Sequence, residues 1–305
     1  MIIFCNFATM KLQTPVADDR CQVGISYEDR IMMLGSCFSD SIGRQLADFG
    51  FDVCVNPFGT LYNPASILNS VRRLVSGVHF VEGDCVEIGA GDGRICSFSH
   101  HTSFARGTEA EFLENANVSL DAARAYFRTC TKVIITLGTS WCFRHVARDF
   151  IVSNCLKRPA DEYCRELLPS HETALALTEI MRMCEEASRQ DKGFVPKRFI
   201  FTVSPIRHFK DGAHGNQLSK SALLLGVDGA IKASGQTADY FPSYEIMMDE
   251  LRDYRFYAED MCHPSQQAVD YIRERFLAWA LPQDEHKRLD ENIRTFRRGC
   301  HIEKH

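Results

Sequence analysis

Four short apolar runs recur along the chain without the strict alternation that marks a half-buried strand. They begin at Arg30, Phe51, Lys132 and Arg198 and read RIMMLG, FDVCVN, KVIITLG and RFIFTVS. Strands that are apolar on both sides are typical of a parallel sheet that helices cover on both faces. The pattern therefore predicts four buried parallel strands.

Apolar residues at helical spacing lie between these runs. Helix signals at the ends of such stretches are an N-cap residue, a proline in the first turn or a glycine just after the last turn. They predict four helices: one on Phe38, Ile42, Leu46 and Phe49 that stops at Gly50, one that follows Ser119 as N-cap, one over residues 172–189, and one that begins at Pro264 and carries Val269, Ile272, Phe276 and Trp279 on one face. Strands that alternate with helices indicate an α/β fold.

Two segments interrupt this alternation, residues 79–112 and residues 207–242, and both are rich in glycine, serine and histidine. We expect both to be excursions over one end of the sheet. No proline-rich linker, low-complexity run or internal repeat marks a domain border. The sequence therefore predicts one domain over residues 1–284, followed by a charged tail over residues 285–305 that is a surface helix or a loose end.

Composition narrows the class of protein and its partners. The 305 residues are 45% hydrophobic and 25% charged, which is ordinary for a globular protein. A formal charge of −5 and a pI near 6.1 give no basic surface of the kind that binds a phosphate backbone. We therefore expect neither nucleic acid nor an anionic membrane as a partner.

Cysteine usage and the first residues bear on the compartment. The 13 cysteines are odd in number and include no C-x-x-C pair, so neither a disulfide framework nor a zinc ribbon is expected. The apolar opening lacks a basic segment and a clear cleavage site, and no long apolar span follows it. We expect a reduced, cytoplasmic protein, with translation beginning at Met1 or at Met10.

The first candidate for chemistry is Gly35-Ser36-Cys37-Phe38, where an apolar strand turns into a helix. A thiol in the first turn of a helix meets unpaired backbone N–H groups and the positive end of the helix dipole. Both lower its pKa and offer donors to an oxyanion. The alternative is an inert buried cysteine, which is common.

The second candidate is Asp260-Met261-Cys262-His263, directly before Pro264. An imidazole in this D-x-x-H motif can act as a general base while the carboxylate fixes its tautomer and orientation. The alternative is an aspartate that caps the helix and a histidine ring on the surface.

Taken together, the two motifs resemble the GSCFA family within the SGNH/GDSL hydrolase superfamily. The resemblance spans roughly residues 10–280 and rests on further segments in the same order: Gly35–Asp40, Asn56–Pro64, Thr136–Trp141, Asn154–Cys155, Ser204–His208, Asn216–Lys220 and Tyr254–Asp260. It implies a three-layer α/β/α sandwich with a mainly parallel, flavodoxin-like sheet and insertions over the carboxyl ends of the strands.

The resemblance also implies roles for single residues. Cys37 matches the nucleophile, with Ser36 as the alternative if the alignment slips by one residue; His263 matches the base and Asp260 its orienting partner. Gly59 and Ser140 match the two oxyanion-hole positions. The chain departs from the superfamily in having cysteine for serine and Ser140 for asparagine, and from the family in having Leu156 where it favours histidine.

Polar residues in the two irregular segments form a candidate substrate-binding rim. The residues are His101, Arg207, His208 and Lys220. Arg207 directly follows a predicted strand, and open α/β sheets bind ligands at the carboxyl ends of their strands. The alternative is that all four are solvated loop side chains.

These observations predict an acyl hydrolase or acyltransferase that acts on an ester or thioester of a small molecule or glycan through an acyl-cysteine. No metal or other cofactor is implied. The main alternative is a binding protein for a small molecule or carbohydrate on the same fold. A distant one is an S-adenosylmethionine-dependent methyltransferase, because Val86–Gly93 resembles its glycine-rich motif. No helical pattern follows that segment, so a hairpin turn is the better prediction.

Overall fold

Ten strands and eight helices build the protein, and a computed structural model describes them over residues 14–16 and 21–302. The alternative start at Met10 lies outside the described residues. The strands are β1 Arg30–Gly35, β2 Asp52–Val55, β3 Val86–Glu87, β4 Ile95–Cys96, β5 Lys132–Leu137, β6 Trp141–His145, β7 Phe150–Val152, β8 Tyr163–Leu167, β9 Arg198–Val203 and β10 Ala238–Phe241. The helices are α1 Cys37–Asp48, α2 Pro64–Ser76, α3 Glu109–Thr129, α4 Ser170–Gln190, α5 Gly212–Ala233, α6 Ser243–Glu245, α7 Gln266–Ala280 and α8 His286–Ile302.

Five of the strands form the central sheet, in the order β10-β9-β5-β1-β2, and every neighbouring pair is parallel. Read from β2, this is the flavodoxin-like order. The four apolar runs became β1, β2, β5 and β9, so the prediction of a buried parallel sheet is confirmed. The fifth strand, β10, carries Asp239 and Tyr240 between its ends and lacked the apolar signal.

Alternate residues of β1 belong to two separate hydrophobic cores. Met32 and Leu34 pack on one face with α2, α3, α4 and α5. Ile31 and Met33 pack on the other face with α1, α7 and α8. Because helices cover both faces, the protein is a three-layer α/β/α sandwich, as predicted.

Two of the predicted helix starts are wrong. Helix α3 runs through Ser119 and begins ten residues earlier, at Glu109, where the Thr108 side chain and Glu111 cap each other's backbone N–H groups. Helix α7 begins at Gln266 rather than at Pro264, because the Ser265 hydroxyl accepts the N–H of Ala268. The other two predicted helices correspond to α1 and α4.

The irregular segments are only partly excursions. Residues 79–112 hold the short β3–β4 pair and 3₁₀ turns, as expected of loops, before α3 begins. Residues 207–242 were misjudged, since they contain α5 and β10 and continue the βαβ alternation. A further segment outside the parallel sheet was not predicted: β7, β6 and β8 form a separate antiparallel sheet.

The glycine-rich stretch at Val86–Gly93 leads into an antiparallel hairpin. Strand β3 pairs with β4, with Val86 opposite Cys96. The hairpin prediction is confirmed, and the helix that a methyltransferase motif requires is replaced by a strand.

The charged tail is a surface helix as far as the structure describes it. Helix α8 buries Leu289, and the Asn292 amide donates to the carbonyl of Phe49, 2.8 Å away. Among the described residues, no helix combines the length and apolarity that crossing a membrane requires. Eleven cysteines between Cys21 and Cys262 are free thiols.

Candidate active site

A cleft of about 470 Å³ opens at the carboxyl ends of the parallel strands. The chain leaves β1 for β2 on one side and later returns to β5 on the other, so a switch point lies between β1 and β5, where open α/β sheets bind ligands. The cleft is lined by Cys37, Tyr62, Asn63, Thr139, Trp141, Cys142, Phe143, Val152, Ser153, Asn154, Cys155, Arg165, Ile206, Arg207, His208, Lys210, Asp211 and His263.

Cys37 is the first residue of α1 and lies directly beyond the end of β1. Its predecessor Ser36 is buried, and its hydroxyl caps the helix by accepting the N–H of Phe38. Gly35 permits the turn because a Cβ there would lie 2.1 Å from the carbonyl oxygen of Thr136 in the neighbouring strand. Cys37 lines the cleft and Ser36 does not.

The pKa of the Cys37 thiol is raised above its usual value, contrary to our expectation. Burial has the largest effect, and the nearby Asp40 carboxyl adds to it. The backbone N–H groups of Cys37 and Phe38 and the charge of Lys220 lower the pKa, but by less. The thiol is therefore protonated at neutral pH and needs a base to become a nucleophile.

His263 lines the same cleft and is held by Asp260. Nδ1 of His263 lies 2.5 Å from Oδ2 of Asp260, and both side chains are about half exposed. Three hydrogen bonds, from the N–H groups of Cys262 and His263 and from the His263 ring, lower the pKa of Asp260 to about 2. The carboxylate is thus ionised and can only accept, which places a proton on Nδ1 and leaves Nε2 as a base.

Gly59 does not stand where an oxyanion-hole donor should. Its N–H is donated to the carbonyl of Asn56, 2.8 Å away, and the residue does not line the cleft. A different constraint explains the glycine. Its φ is +82°, and a Cβ would lie 2.2 Å from Cβ of His101. The expected role of the Gly59 N–H is therefore wrong for this conformation.

Ser140 is also engaged elsewhere. It is fully buried, its N–H is donated to the Ser219 hydroxyl at 2.8 Å, and its own hydroxyl donates to the Ser219 carbonyl at 3.3 Å. These bonds attach the loop after β5 to α5. The expectation that the Ser140 hydroxyl completes an oxyanion hole is wrong in this structure.

Asn63 is a cleft residue for which the sequence analysis proposed no role. Its Oδ1 accepts the N–H of Ser66 at 2.8 Å and caps α2, which leaves its Nδ2 group with no hydrogen-bond partner among the described residues. The carbonyl of the preceding Tyr62 accepts the N–H groups of Gly138 and Thr139 and so fixes the loop against the end of β5. An asparagine before a proline-started helix is typical of a cap, so its unpaired amide group in the cleft was not predicted.

Lys220 is not part of the rim. It is buried beneath the cleft, where its ammonium donates to the carbonyls of Gly138 and Ser204, each 2.7 Å away. Burial lowers its pKa to about 7, while the nearby Cys37 thiol acts in the opposite direction. The lysine ties the ends of β5 and β9 together, so its expected contact with substrate is wrong.

His101 also lies outside the cleft lining. Its Nδ1 accepts the N–H of Ser103 at 3.2 Å and caps a 3₁₀ turn, while its Cβ packs on Gly59. The polar rim therefore loses His101 and Lys220 and keeps the other two predicted residues.

Arg207 and His208 line the cleft, and their contact with substrate stays a prediction. Nε2 of His208 is buried and has no hydrogen-bond partner among the described residues. Burial, assisted by Lys220 and His263, lowers the pKa of the ring to about 4. His208 is therefore a neutral imidazole that lines the same cleft as Cys37.

The antiparallel sheet supplies the far wall of the cleft. Phe143 on β6 stands opposite Arg165 on β8, and the guanidinium lies over the rings of Trp141 (4.9 Å) and Phe143 (5.5 Å). Arg165 also pairs with Asp211, which precedes α5. This wall was not predicted from the sequence, because its strands are short and irregular in pattern.

No group of three or more histidine, cysteine, aspartate or glutamate side chains able to hold a metal ion occurs among the described residues. A search of curated proteins gave no match. The model of the GSCFA family matches residues 30–276, a stretch that contains the central sheet and both motifs of the cleft. Because this match covers most of the chain, the protein belongs to the GSCFA family.

Proposed function

We propose that the protein is an acyl hydrolase or acyltransferase that forms an acyl-enzyme on Cys37. One observation carries this proposal: Cys37, at the first turn of α1, and His263, oriented by Asp260, line the same cleft. A nucleophile and a base that a third group orients are the essential parts of covalent acyl transfer.

The protonation states of Cys37 and His263 fit this chemistry. The Cys37 thiol gives its proton to Nε2 of His263 as the sulfur attacks the carbonyl carbon of an ester or thioester. His263 then passes the proton to the leaving group as the tetrahedral intermediate collapses to a thioester on Cys37. A water molecule or an acceptor alcohol, deprotonated by His263, releases the acyl group and restores the thiol.

Two donors are available to the oxyanion of the intermediate. The N–H of Cys37 lies in the first helical turn, where backbone N–H groups lack intrahelical partners. The second is Nδ2 of Asn63, whose orientation is fixed because its Oδ1 caps α2. We assign the oxyanion hole to these two groups in place of Gly59 and Ser140.

The placement within the SGNH/GDSL superfamily is part of the proposal. It is supported by a nucleophile just after the first strand of a flavodoxin-like sheet and by a D-x-x-H motif just before a late helix. The free thiols support a reducing compartment, and we propose the cytoplasm. The cleft volume suits a small molecule or the end of a glycan as acyl substrate.

The test is to trap the acyl group. The protein is mixed with 4-nitrophenyl acetate, quenched in acid and digested, and the peptide containing residues 36 and 37 is analysed by mass spectrometry. We expect acetylation of Cys37 in the unaltered protein and in Ser36→Ala, which loses a helix cap worth about 1 kcal/mol. Cys37→Ala should carry no acetyl group. Turnover without any adduct on either residue would remove the covalent mechanism.

The raised pKa of Cys37 favours a second candidate, a binding protein that kept the fold without the chemistry. That protein would bind an ester without cleaving it. Absence of both turnover and acetylation, with retained binding of the ester in calorimetry, would select this candidate.

A further inference from the structure

The charge of the cleft is opposite to that of the whole chain. The chain has a formal charge of −5, yet the lining holds three basic side chains, Arg165, Arg207 and Lys210, and one acidic one, Asp211. Asp211 pairs with Arg165. Neither Arg207 nor Lys210 forms an ion pair with any carboxylate in the part of the chain that the structure describes, so two positive charges remain uncompensated in the cleft.

Aromatic rings hold these two cations in place. The Arg207 guanidinium lies 4.1 Å from the ring centre of Phe209 and 5.1 Å from that of Tyr257, and the Lys210 ammonium lies 5.8 Å from that of Phe143. Such contacts limit the freedom of a side chain without neutralising its charge. The arrangement is that of a binding site for an anion, since a guanidinium held in this way keeps donors for oxygen ligands.

Arg207 adjoins the loop that carries the base. Its N–H is donated to the carbonyl of Cys262 at 3.0 Å, and its side chain donates to the carbonyl of Met261 at 3.4 Å. The next residue, His263, is the group that protonates the leaving group in the proposed mechanism. An anion bound at Arg207 therefore lies on the leaving-group side of the scissile bond.

His208 adds a neutral polar contact on the same side. Its buried Nε2 has no hydrogen-bond partner within the part of the chain that the structure describes, and an unpaired buried group of this kind is costly unless a ligand or water satisfies it. Lys220, beneath it, and His263, beside it, are the charged or titratable groups that act on the ring.

We propose that the natural substrate carries an anionic oxygen group, a carboxylate or a phosphate, on its leaving group, and that Arg207 and Lys210 bind that group. This inference rests on the proposed function. In the reaction the bond between the acyl carbon and the leaving-group oxygen or sulfur breaks, and the leaving group departs with the proton from His263 and with its anionic substituent unchanged.

The test compares esters that differ only in that substituent. 3-Acetoxybenzoate is compared with its uncharged isostere 3-acetoxybenzamide, and 3-acetoxyphenyl phosphate forms the phosphate arm, each rate being divided by the rate of alkaline hydrolysis. We expect kcat/KM to be about tenfold or more higher for at least one anionic ester than for the amide, as for one hydrogen bond to a charged group. Whether the carboxylate or the phosphate compound has the higher kcat/KM identifies the anion that the cleft prefers.

Variants connect the preference to the residues. Arg207→Gln and Lys210→Gln should each lower the ratio between anionic ester and amide several-fold. The matched control is Arg255→Gln, because Arg255 is exposed, pairs with Asp253 and does not line the cleft. That variant should keep the ratio of the unaltered protein. High salt should lower the ratio in the unaltered protein, since the contact is electrostatic.

Two outcomes overturn the inference while leaving the proposed function intact. One is equal turnover of the anionic esters and the amide. The other is a preference for mono-4-nitrophenyl glutarate over 4-nitrophenyl pentanoate that exceeds the preference among the acetoxy compounds, which would place the anion on the acyl side. If no ester is cleaved and Cys37 is never acetylated, the proposed function fails instead. Calorimetry with 3-hydroxybenzoate and 3-hydroxybenzamide then decides the charge preference, and equal binding of the two would overturn it.

Discussion

The Asp260 carboxylate holds His263 through both of its oxygens. Oδ2 lies 2.5 Å from Nδ1 of the ring, while Oδ1 accepts the backbone N–H groups of Cys262 and His263, each at 2.9 Å. One side chain thus shapes the turn and selects the tautomer of the base. These two functions can be separated by a single substitution.

Asp260→Asn tests the tautomer. The amide oxygen can replace Oδ1 in the turn, but the NH₂ group then faces Nδ1 and forces the ring proton onto Nε2. We expect kcat to fall about 10²-fold or more with the melting temperature little changed, because a base without its lone pair cannot accept the thiol proton. His263→Ala should lower kcat further, because it removes the base itself. Unchanged kcat in Asp260→Asn would make the aspartate a turn residue only.

Alkylation of Cys37 reports its raised pKa. Because the thiolate is the reactive form, iodoacetamide should modify Cys37 slowly at neutral pH, and the rate should rise as the pH increases through the usual range of a thiol and above it. Exposed Cys164 serves as the accessible comparison and should react first at neutral pH. Peptide mapping by mass spectrometry gives both rates. Faster labelling of Cys37 than of Cys164 below pH 7 would show that its pKa is lowered instead.

Asn63→Asp separates the cap from the oxyanion donor. The carboxylate still caps α2 through the N–H of Ser66, but it has no N–H to offer the substrate. We expect kcat to fall about 10²–10³-fold, the usual effect of losing one oxyanion-hole donor. Asn154→Asp is the control for the added charge, because Asn154 lines the same cleft and its Oδ1 similarly accepts the N–H of Leu156. Equal losses in the two variants would remove Asn63 from the hole.

Gly59→Ala should destabilise the protein strongly. A methyl group would meet Cβ of His101 at 2.2 Å in a backbone with φ of +82°, so strain and overlap add to about 2–5 kcal/mol. Gly91→Ala is the matched control, since Gly91 has φ of +74° and open space around its Cβ position. It should cost about 1 kcal/mol. Urea unfolding measures the free energy of unfolding of both variants. An equal loss in the two would show that His101 moves away to make room for the methyl group.

Two histidines whose pKa values are lowered by burial should make the protein less stable in mild acid. Burial lowers the pKa of His100 to about 3 and that of His208 to about 4, against 6.5 for a free ring. Below about pH 6.5 the unfolded chain binds two protons that the folded protein does not. The free energy of unfolding should therefore fall with falling pH by up to about 2.7 kcal/mol per unit.

The check is urea unfolding between about pH 6.5 and about pH 5, where both rings differ between the two states. His100→Gln should reduce the slope by about half, because one of the two protons is lost. Comparison of the variant with the unaltered protein removes the contribution of carboxylates. An identical slope would show that His100 is protonated in the folded state.

The parallel sheet was predictable because its strands are apolar on both faces, as in β1. The antiparallel sheet was not predictable, because Cys164, Arg165 and Glu166 in the middle of β8 show no apolar pattern. Their partners on β6 also lie about twenty residues away in the chain. Ser119 failed as a cap because the capping box at Thr108 offers a better start. Several residues can serve as a helix cap within one stretch, and the sequence alone does not show which of them begins the helix.

The same limit applies to the site. Cys37 and Arg207 reach the cleft because each follows the end of a strand, which the sequence does indicate. His263 instead precedes α7, and the N–H of Arg207 holds its loop through the carbonyl of Cys262. Whether a backbone or side-chain donor is free depends on tertiary partners, and the partners of Gly59 and Ser140 could not be read from spacing. Lys220 was placed on the rim because it lies in the segment 207–242, which was expected to be an irregular excursion but contains α5.

The wall that carries Trp141, Phe143 and Arg165 belongs to a sheet that forms no ladder with the parallel one among the described strands. Its side chains can be exchanged without altering the register between β1 and β5, which fixes the position of Cys37. Substitutions in this wall can therefore change which group binds against it without moving the cysteine or the imidazole. A chain built in this way can acquire new substrates by changes confined to one small three-stranded sheet.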